Sequence, residues 1–290
     1  MTVLIISSNL DPASINIKKA LLKQNKWEET DTFCKNTVYW HSKMKDIIII
    51  TINDRKITHE NLDKEIEKKI GIKPKQAIFI SRHTSKTGQP SLTIHPIGNY
   101  GNAEFGGKAK TLCETSPRLM SHLMRIMNKN AKQKQLKHQI CLEVTHHGPY
   151  IDIPSLFIEI GSTEEEWIKQ EPADVIAKSI IELLKNYHYE EDMPDDIPVL
   201  IGIGGGHYAP RFTDVILGKK AAFGHMIPRY HIDAGNINDE MLEKAIQTTP
   251  NLDAVYLHRK SLKKAQIREY KQWFKEKGIP SISSKELPDL

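Results

Sequence analysis

Five of the thirteen histidines, His83, His95, His146, His147 and His207, stand where an apolar, strand-like run gives way to a polar turn containing glycine. Segments of this kind cover residues 80–88, 94–101, 143–150, 157–163 and 201–212, and His225 adds a sixth histidine in a similar setting. A neutral imidazole can ligate a metal or act as a general base near neutral pH, and Glu143, Glu159 and Asp214 offer carboxylates in or beside the same segments. No HExxH helix or Cys/His finger is present. Each histidine taken alone can do no more than hydrogen-bond a neighbouring loop; the group is read as holding at least one metal ligand or general base. In an extended strand, adjacent His146 and His147 would face opposite sides, so both reach one ion only if the chain turns there. Gly148-Pro149 supplies the residues for such a turn.

The run Gly202-Ile203-Gly204-Gly205-Gly206 suggests a phosphate loop, but no Gly-Lys-Ser/Thr follows it. As a dinucleotide fingerprint it is also poor, because Pro210 is expected to disturb the helix that should start there. The glycines are read as a backbone nest friendly to anions, with His207 and Arg211 beside it suited to a phosphate or ribose; a plain strand-to-loop turn is the competing reading. Arg82, His83, Ser85 and Lys86 make a second cationic turn, and no GxSxG nucleophile elbow accompanies it. Cys34, Cys113 and Cys141 are far apart and odd in number, so neither a disulfide framework nor a CxxC metal site is expected. Cys141 lies within a strand pattern and reads as a buried, inert thiol.

The elements that must position these groups alternate. Apolar runs at residues 3–6, 47–52, 77–80, 92–94, 140–144, 156–160, 199–203, 221–226 and 254–257 read as strands. Helical patterns fall between most of them, at residues 12–23, 61–70, 116–132, 163 or 172 to about 187, 239–247 and 261–277. Asp11 with Pro12, and Ser116 with Pro117, are helix starts, and Leu119, Leu123 and Ile126 form an apolar stripe. Strands alternating with long helices predict an α/β fold with a mainly parallel sheet covered on both faces. In such sheets ligands bind at the carboxyl ends of the strands, where the histidines lie. The acidic segment at residues 188–196 is read as an exposed helix-to-strand loop rather than a domain linker.

The composition is that of a soluble globular protein, with 27% charged and 39% hydrophobic residues and a net charge of +5. No run reaches the ~18 apolar residues of a membrane span. Residues 1–8 read as a buried strand and not a signal peptide. The positive balance comes from 33 Lys and only 8 Arg, which permits an anionic partner without requiring one. Residues 129–138 and 259–277 are locally basic; the second stretch interleaves Tyr270, Trp273 and Phe274 and reads as a solvated helix face.

Taken in order, Ser81-Arg82-His83, Thr93-Ile94-His95-Pro96-Ile97-Gly98-Asn99, Glu143-Val144-Thr145-His146-His147-Gly148-Pro149, Glu159-Ile160-Gly161-Ser162 and Gly202-Ile203-Gly204-Gly205-Gly206-His207-Tyr208-Ala209-Pro210-Arg211 resemble the archaeal and plant type of D-aminoacyl-tRNA deacylase. The resemblance runs from the first strand to about Arg259. It implies a hydrolase that cleaves the ester between a D-amino acid and the 3′ end of tRNA, assisted by zinc, whose Lewis acidity activates water at neutral pH. The implied fold is one three-layer α/β/α domain over residues 1–290, with a mixed, mainly parallel sheet of the phosphorylase and peptidyl-tRNA hydrolase type. Carried onto this chain, the catalytic set is His83, His147 and Glu143. The metal set is His83, His95, His146, His147 and Glu159. The substrate-binding set is Gly204, Gly205, Gly206, His207, Arg211 and Arg82. The expected partner is tRNA carrying a D-amino acid, the expected location the cytoplasm, and a monomer is the default. A nucleoside phosphorylase-like or other nucleotide-processing hydrolase, and a noncatalytic tRNA-binding protein, are the alternatives.

Overall fold

The computed structural model describes residues 2–185 and 197–290; the acidic segment at 188–196 lies outside them. The chain opens with β1 (Thr2–Ser8), α1 (Pro12–Gln24), β2 (Trp27–Phe33), β3 (Asn36–His41), β4 (Ile47–Ile52), α2 (Leu62–Ile70), β5 (Pro74–Arg82) and β6 (Ser91–His95). It continues through the short pair β7 (Gly98–Asn99) and β8 (Thr111–Leu112), then α3 (Pro117–Gln133), β9 (Gln139–Leu142), β10 (Ser155–Gly161), α4 (Glu164–Trp167) and α5 (Gln170–Lys185). The last third holds β11 (Val199–Ile203), α6 (Pro210–Gly218), β12 (Ala222–Ile227), α7 (Arg229–Asp233), α8 (Asp239–Gln247), β13 (Leu252–Leu257), α9 (Lys264–Glu276) and β14 (Ser281–Ile282).

Local chemistry explains the boundaries. Asp11 caps α1, its carboxylate accepting from the Ser14 N–H at 2.9 Å, and Pro12 fills the first turn, where a missing N–H costs nothing. Pro210 does the same for α6, so the expected disturbance does not occur: proline at the first helical position initiates the helix. Ser116 precedes α3 but spends its hydroxyl on Gln76 Oε1 at 2.6 Å instead of capping.

Eight strands form a mixed sheet in the order β2-β3-β4-β1-β5-β10-β6-β9. β4, β1, β5 and β10 are mutually parallel, and β6 runs antiparallel to β10. β4 is buried at all six residues, which its unbroken Ile and Thr sequence requires of a strand covered on both faces. A separate four-stranded sheet, β12-β11-β13-β14, is wholly parallel. One face of the larger sheet packs on α1, α3 and α5. The same apolar cluster runs without a break into Leu200, Phe223 and Tyr256 of the smaller sheet. Leu62 and Ile66 of α2 cover Leu4, Ile50 and Phe79 on the opposite face, which completes the three layers.

Candidate active site

Glu159 lies in β10 where the sheet changes from parallel to antiparallel pairing, opposite Ser81 of β5 and Thr93 of β6. His83 follows the end of β5. His95 closes β6 with its ring stacked on Phe157 at 5.1 Å. Glu143 follows β9, its N–H bound to the Ile94 carbonyl at 3.0 Å, and its side chain is fully buried. The chain then turns. His147 takes φ +44°, so the rings of His146 and His147 come together at 4.4 Å, each facing His95 at 4.0 and 4.8 Å. A non-glycine residue in this left-handed region costs roughly 1–2 kcal/mol, a strain compatible with a site that needs both imidazoles on one side.

The three rings are fixed in one tautomer. His95, His146 and His147 each direct Nδ1 to a backbone carbonyl, of Pro96, Val144 and Gly148, at 3.0, 2.8 and 2.6 Å. A carbonyl only accepts, so each Nδ1 carries the proton and each Nε2 presents a lone pair. Burial and the neighbouring imidazoles push His95 down to about 3. Burial likewise takes His147 to about 4, against the help of the Gly148 carbonyl, and lowers His146 too. His95 Nε2 is buried with no hydrogen-bond partner, and ligand atoms from the three histidines lie within 4.8 Å of one another. His146 Nε2 also lies 3.5 Å from Glu143 and His95 Nε2 3.9 Å from Glu159, so the clustered imidazoles, oriented by carbonyls and flanked by carboxylates, have the donor set of a transition-metal site. These residues fit a divalent cation.

A second cluster adjoins the first. Glu143 lies 3.1 Å from His83 Nδ1 and 3.0 Å from His207 Nε2, and Glu159 lies 3.5 Å from His83 Nδ1. The ring N–H groups are poorly aligned on Glu143, whose two buried oxygens make no well-formed hydrogen bond. Burial favours the neutral acid, yet His207, His83 and His95 outweigh it and hold Glu143 down at about 2. Burial and the Glu143 charge raise Glu159, against the opposing contact with His83. His83 is itself raised, because Glu159 and Glu143 overcome its desolvation. Its far nitrogen, Nε2, contacts the Tyr208 hydroxyl at 2.7 Å.

Two cavities, of about 330 and 400 Å³, meet at this cluster and share Phe105, His146, His147 and His207. The smaller also contains Asp11, Lys56, Arg82, His83 and Glu159. In it Lys56, almost fully buried, donates to Asp11 Oδ2 at 2.6 Å. The larger is lined by aromatic and amide groups, among them Tyr100, Tyr230, Asn99 and Asn236.

Comparison with known proteins decides the family. The model of the D-aminoacyl-tRNA deacylase family matches residues 70–282. A D-aminoacyl-tRNA deacylase of Thermococcus onnurineus is 40% identical over 281 residues, 96% of this chain and 98% of its own length. The chain belongs to the D-aminoacyl-tRNA deacylase family. Relatives of the same name are 37% identical in Pyrococcus abyssi, over 96% of this chain and 98% of theirs, and 33% identical in Methanosarcina acetivorans, over 98% and 93%. A crystal structure of a conserved protein of unknown function superposes with a TM-score of 0.87 at 31% identity, covering 99% of this chain and 98% of its own.

Within this deacylase fold, His83, His95, Glu143, His146, His147, Glu159 and His207 come together. Of the expected metal set, His95, His146 and His147 form one group, His83 stands with Glu143 and His207, and His95 also groups with Glu143 and Glu159, so the groups overlap. Arg82 lines the smaller cavity, with its guanidinium 5.0 Å over the Trp167 ring. Two of the three glycine N–H groups of the expected nest are already engaged. The Gly204 N–H is taken by the Ile227 carbonyl at 2.8 Å and the Gly205 N–H by Ser261 Oγ at 2.9 Å. Their positive φ angles and close packing on Ser261 and His258 explain the glycines as a tight turn. Arg211 faces away from the cluster, donating to Tyr256 at 2.8 Å and Ser284 at 2.9 Å. His225 is a buried structural residue between Thr145 and the Cys113 carbonyl. Cys141 is buried, its thiol pushed up to about 11, as expected of an inert residue. The sequence reading missed the buried Lys56–Asp11 pair, whose partners stand 45 residues apart, and Tyr208, which adjoins His207.

Proposed function

We propose that this chain hydrolyses the ester of D-aminoacyl-tRNA with the help of a zinc ion held by His95, His146 and His147. The observation that carries the reading is the gathering of His95, His146 and His147, their ligand atoms within 4.8 Å of one another and each Nδ1 turned to a backbone carbonyl, beside two buried carboxylates. Bound there, zinc would supply Lewis acidity to the reacting ester and water. Glu143, ionised and without a well-aligned donor, takes a proton from the attacking water as oxygen adds to the acyl carbon. His83, fixed by Tyr208 and beside both carboxylates, donates a proton to the ribose oxygen as the acyl carbon–oxygen bond breaks. The water proton on Glu143 then restores His83. The smaller cavity takes the aminoacyl group, with carboxylates available to its ammonium. The larger takes the terminal adenosine, for which aromatic faces and side-chain amides are suitable partners.

The apolar cluster shared by both sheets supports a single domain over residues 1–290. No described helix is long and apolar enough to cross a membrane. A cytoplasmic location and a monomeric state complete the proposal.

The test is release of D-tyrosine and L-tyrosine from their tRNA esters, before and after chelation. Release from the D-ester alone, lost on chelation and restored by zinc, is the expected result. Hydrolysis unaffected by exhaustive chelation overturns the metal assignment. Hydrolysis of neither ester overturns the deacylase reading.

A further inference from the structure

Away from the catalytic cluster, a cavity of about 580 Å³ opens at the carboxyl ends of the smaller sheet. β11 pairs with β12 on one side and β13 on the other, so the chain leaves β11 in one direction for β12 and later returns to its opposite edge for β13. That is a topological switch point, the place in an open parallel sheet where a ligand crevice forms. The lining comes from the segments after three strands: Arg211 after β11, His258, Arg259 and Lys260 after β13, and the serines after β14, with Lys271 of α9 closing one wall.

The crevice is strongly cationic. Among the described residues, Arg259, Lys260 and Lys271 have no acid within ion-pair distance. The one acid in the lining, Glu286, accepts from the Ser283 N–H and hydroxyl at 2.8 and 2.6 Å and lies near enough to Lys271 and Arg259 for their charge to help lower it, leaving the lining with a cationic excess. Arg211 is braced by Tyr256 and Ser284, which engage two of its five N–H donors and leave three for a ligand. Fixed guanidinium donors with free ammonium groups around them suit phosphate oxygens.

Position selects the kind of phosphate. Arg211 lies four residues beyond His207 of the catalytic cluster, so the two Cα atoms are at most about 14 Å apart. The glycine turn at residues 204–206 immediately precedes His207, and its Gly205 N–H donates to Ser261 Oγ, the residue after the crevice-lining run 258–260. We infer that this crevice binds backbone phosphates of the tRNA acceptor end, anchoring the strand whose terminal ester reaches the histidine cluster. The inference rests on the deacylase reading for its choice of nucleic acid.

The experiment combines Arg259→Ala, Lys260→Ala and Lys271→Ala in one variant of the full chain. Two substrates are compared: D-tyrosyl-tRNA, and a phosphate-free D-tyrosyl ester of adenosine. With the tRNA ester, kcat/KM is expected to fall about tenfold or more at low salt, and the slope of its logarithm against log salt to flatten by about 2. The adenosine ester is expected to be hydrolysed at the wild-type rate. An unchanged salt slope, or an equal loss on both substrates, overturns the inference. If wild-type protein hydrolyses neither ester, the deacylase reading fails by itself. Fluorescent tRNA binding by the same variant then decides the crevice: a flattened salt slope supports it, and an unchanged slope refutes it.

Discussion

The catalytic cavities and the basic crevice both sit at strand ends, but they are built in opposite ways. In the first, the titratable groups are crowded, with His83, His95, Glu143 and Glu159 buried and His146, His147 and His207 half-buried. Imidazoles lie 4.0–4.8 Å apart and each is fixed by a backbone carbonyl. In the second, Arg259 and Lys260 stand in solvent, and order comes mainly from the bracing of Arg211. Reaction chemistry needs defined protonation states and fixed lone pairs, which burial and directed hydrogen bonds impose. Attraction of a polyanion needs only charge of one sign, and keeping it hydrated avoids the desolvation cost of buried ions. Damage to the first region should therefore be large and insensitive to salt. Damage to the second should be modest and salt-dependent.

The largest effect is expected at Glu143. Glu143→Gln keeps the shape and removes the base, so single-turnover hydrolysis should slow by about 10²–10⁴-fold with tRNA affinity preserved. A loss below tenfold would remove Glu143 from proton transfer. Next is the pair beneath the smaller cavity. Lys56→Met leaves Asp11 buried without its cation and should cost about 3–5 kcal/mol in urea unfolding at neutral pH. Adding Asp11→Asn should recover part of that loss, and no recovery would mean the pair does not act as a unit. Asp11 is held below its ordinary value, since Lys56 and backbone N–H groups outweigh its burial. Its contribution is therefore present above about pH 4 and lost as the pH falls through the folded-state value. The crevice variant comes third, with its tenfold, salt-sensitive loss.

The smallest effect serves as a control outside both regions. His59 bridges Asp54 at 2.9 Å and Glu65 at 2.6 Å, and these carboxylates overcome its desolvation and raise it. A raised histidine stabilises fully below its unfolded value of about 6.5 and loses that contribution as pH rises through the folded value. The stability gap between wild type and His59→Gln should be on the order of 1 kcal/mol at pH 6 and should shrink by pH 9. A gap that widens with pH contradicts the assignment.

Much of the fold was legible because its signals are local. Asp11-Pro12 marks the start of α1, and α8 falls on its expected residues. The hairpin of β2 and β3 was not legible. β2 is exposed over most of its length and shows no apolar alternation. The division of the strands into two sheets depends on long-range pairing, which periodicity does not encode. Strand-end placement singled out histidines that the fold brings together, although they come from strands of opposite direction and from both sheets: His83 follows β5, His95 ends β6, which runs antiparallel to β10, and His207 follows β11. It did not separate Arg211 from the histidine cluster, since a position at the second residue of α6 does not reveal which way the side chain leaves the helix. The tautomer of each imidazole was not legible either, because it depends on carbonyls positioned by the folded turn.

The account stands most directly on one pair of measurements: zinc content and single-turnover hydrolysis of D-tyrosyl-tRNA in His147→Ala and His83→Ala. Loss of both zinc and activity is expected for His147→Ala, and loss of activity with a full complement of zinc for His83→Ala. Zinc lost from His83→Ala but retained by His147→Ala would contradict the division of the site into a metal-holding trio and a proton-handling group.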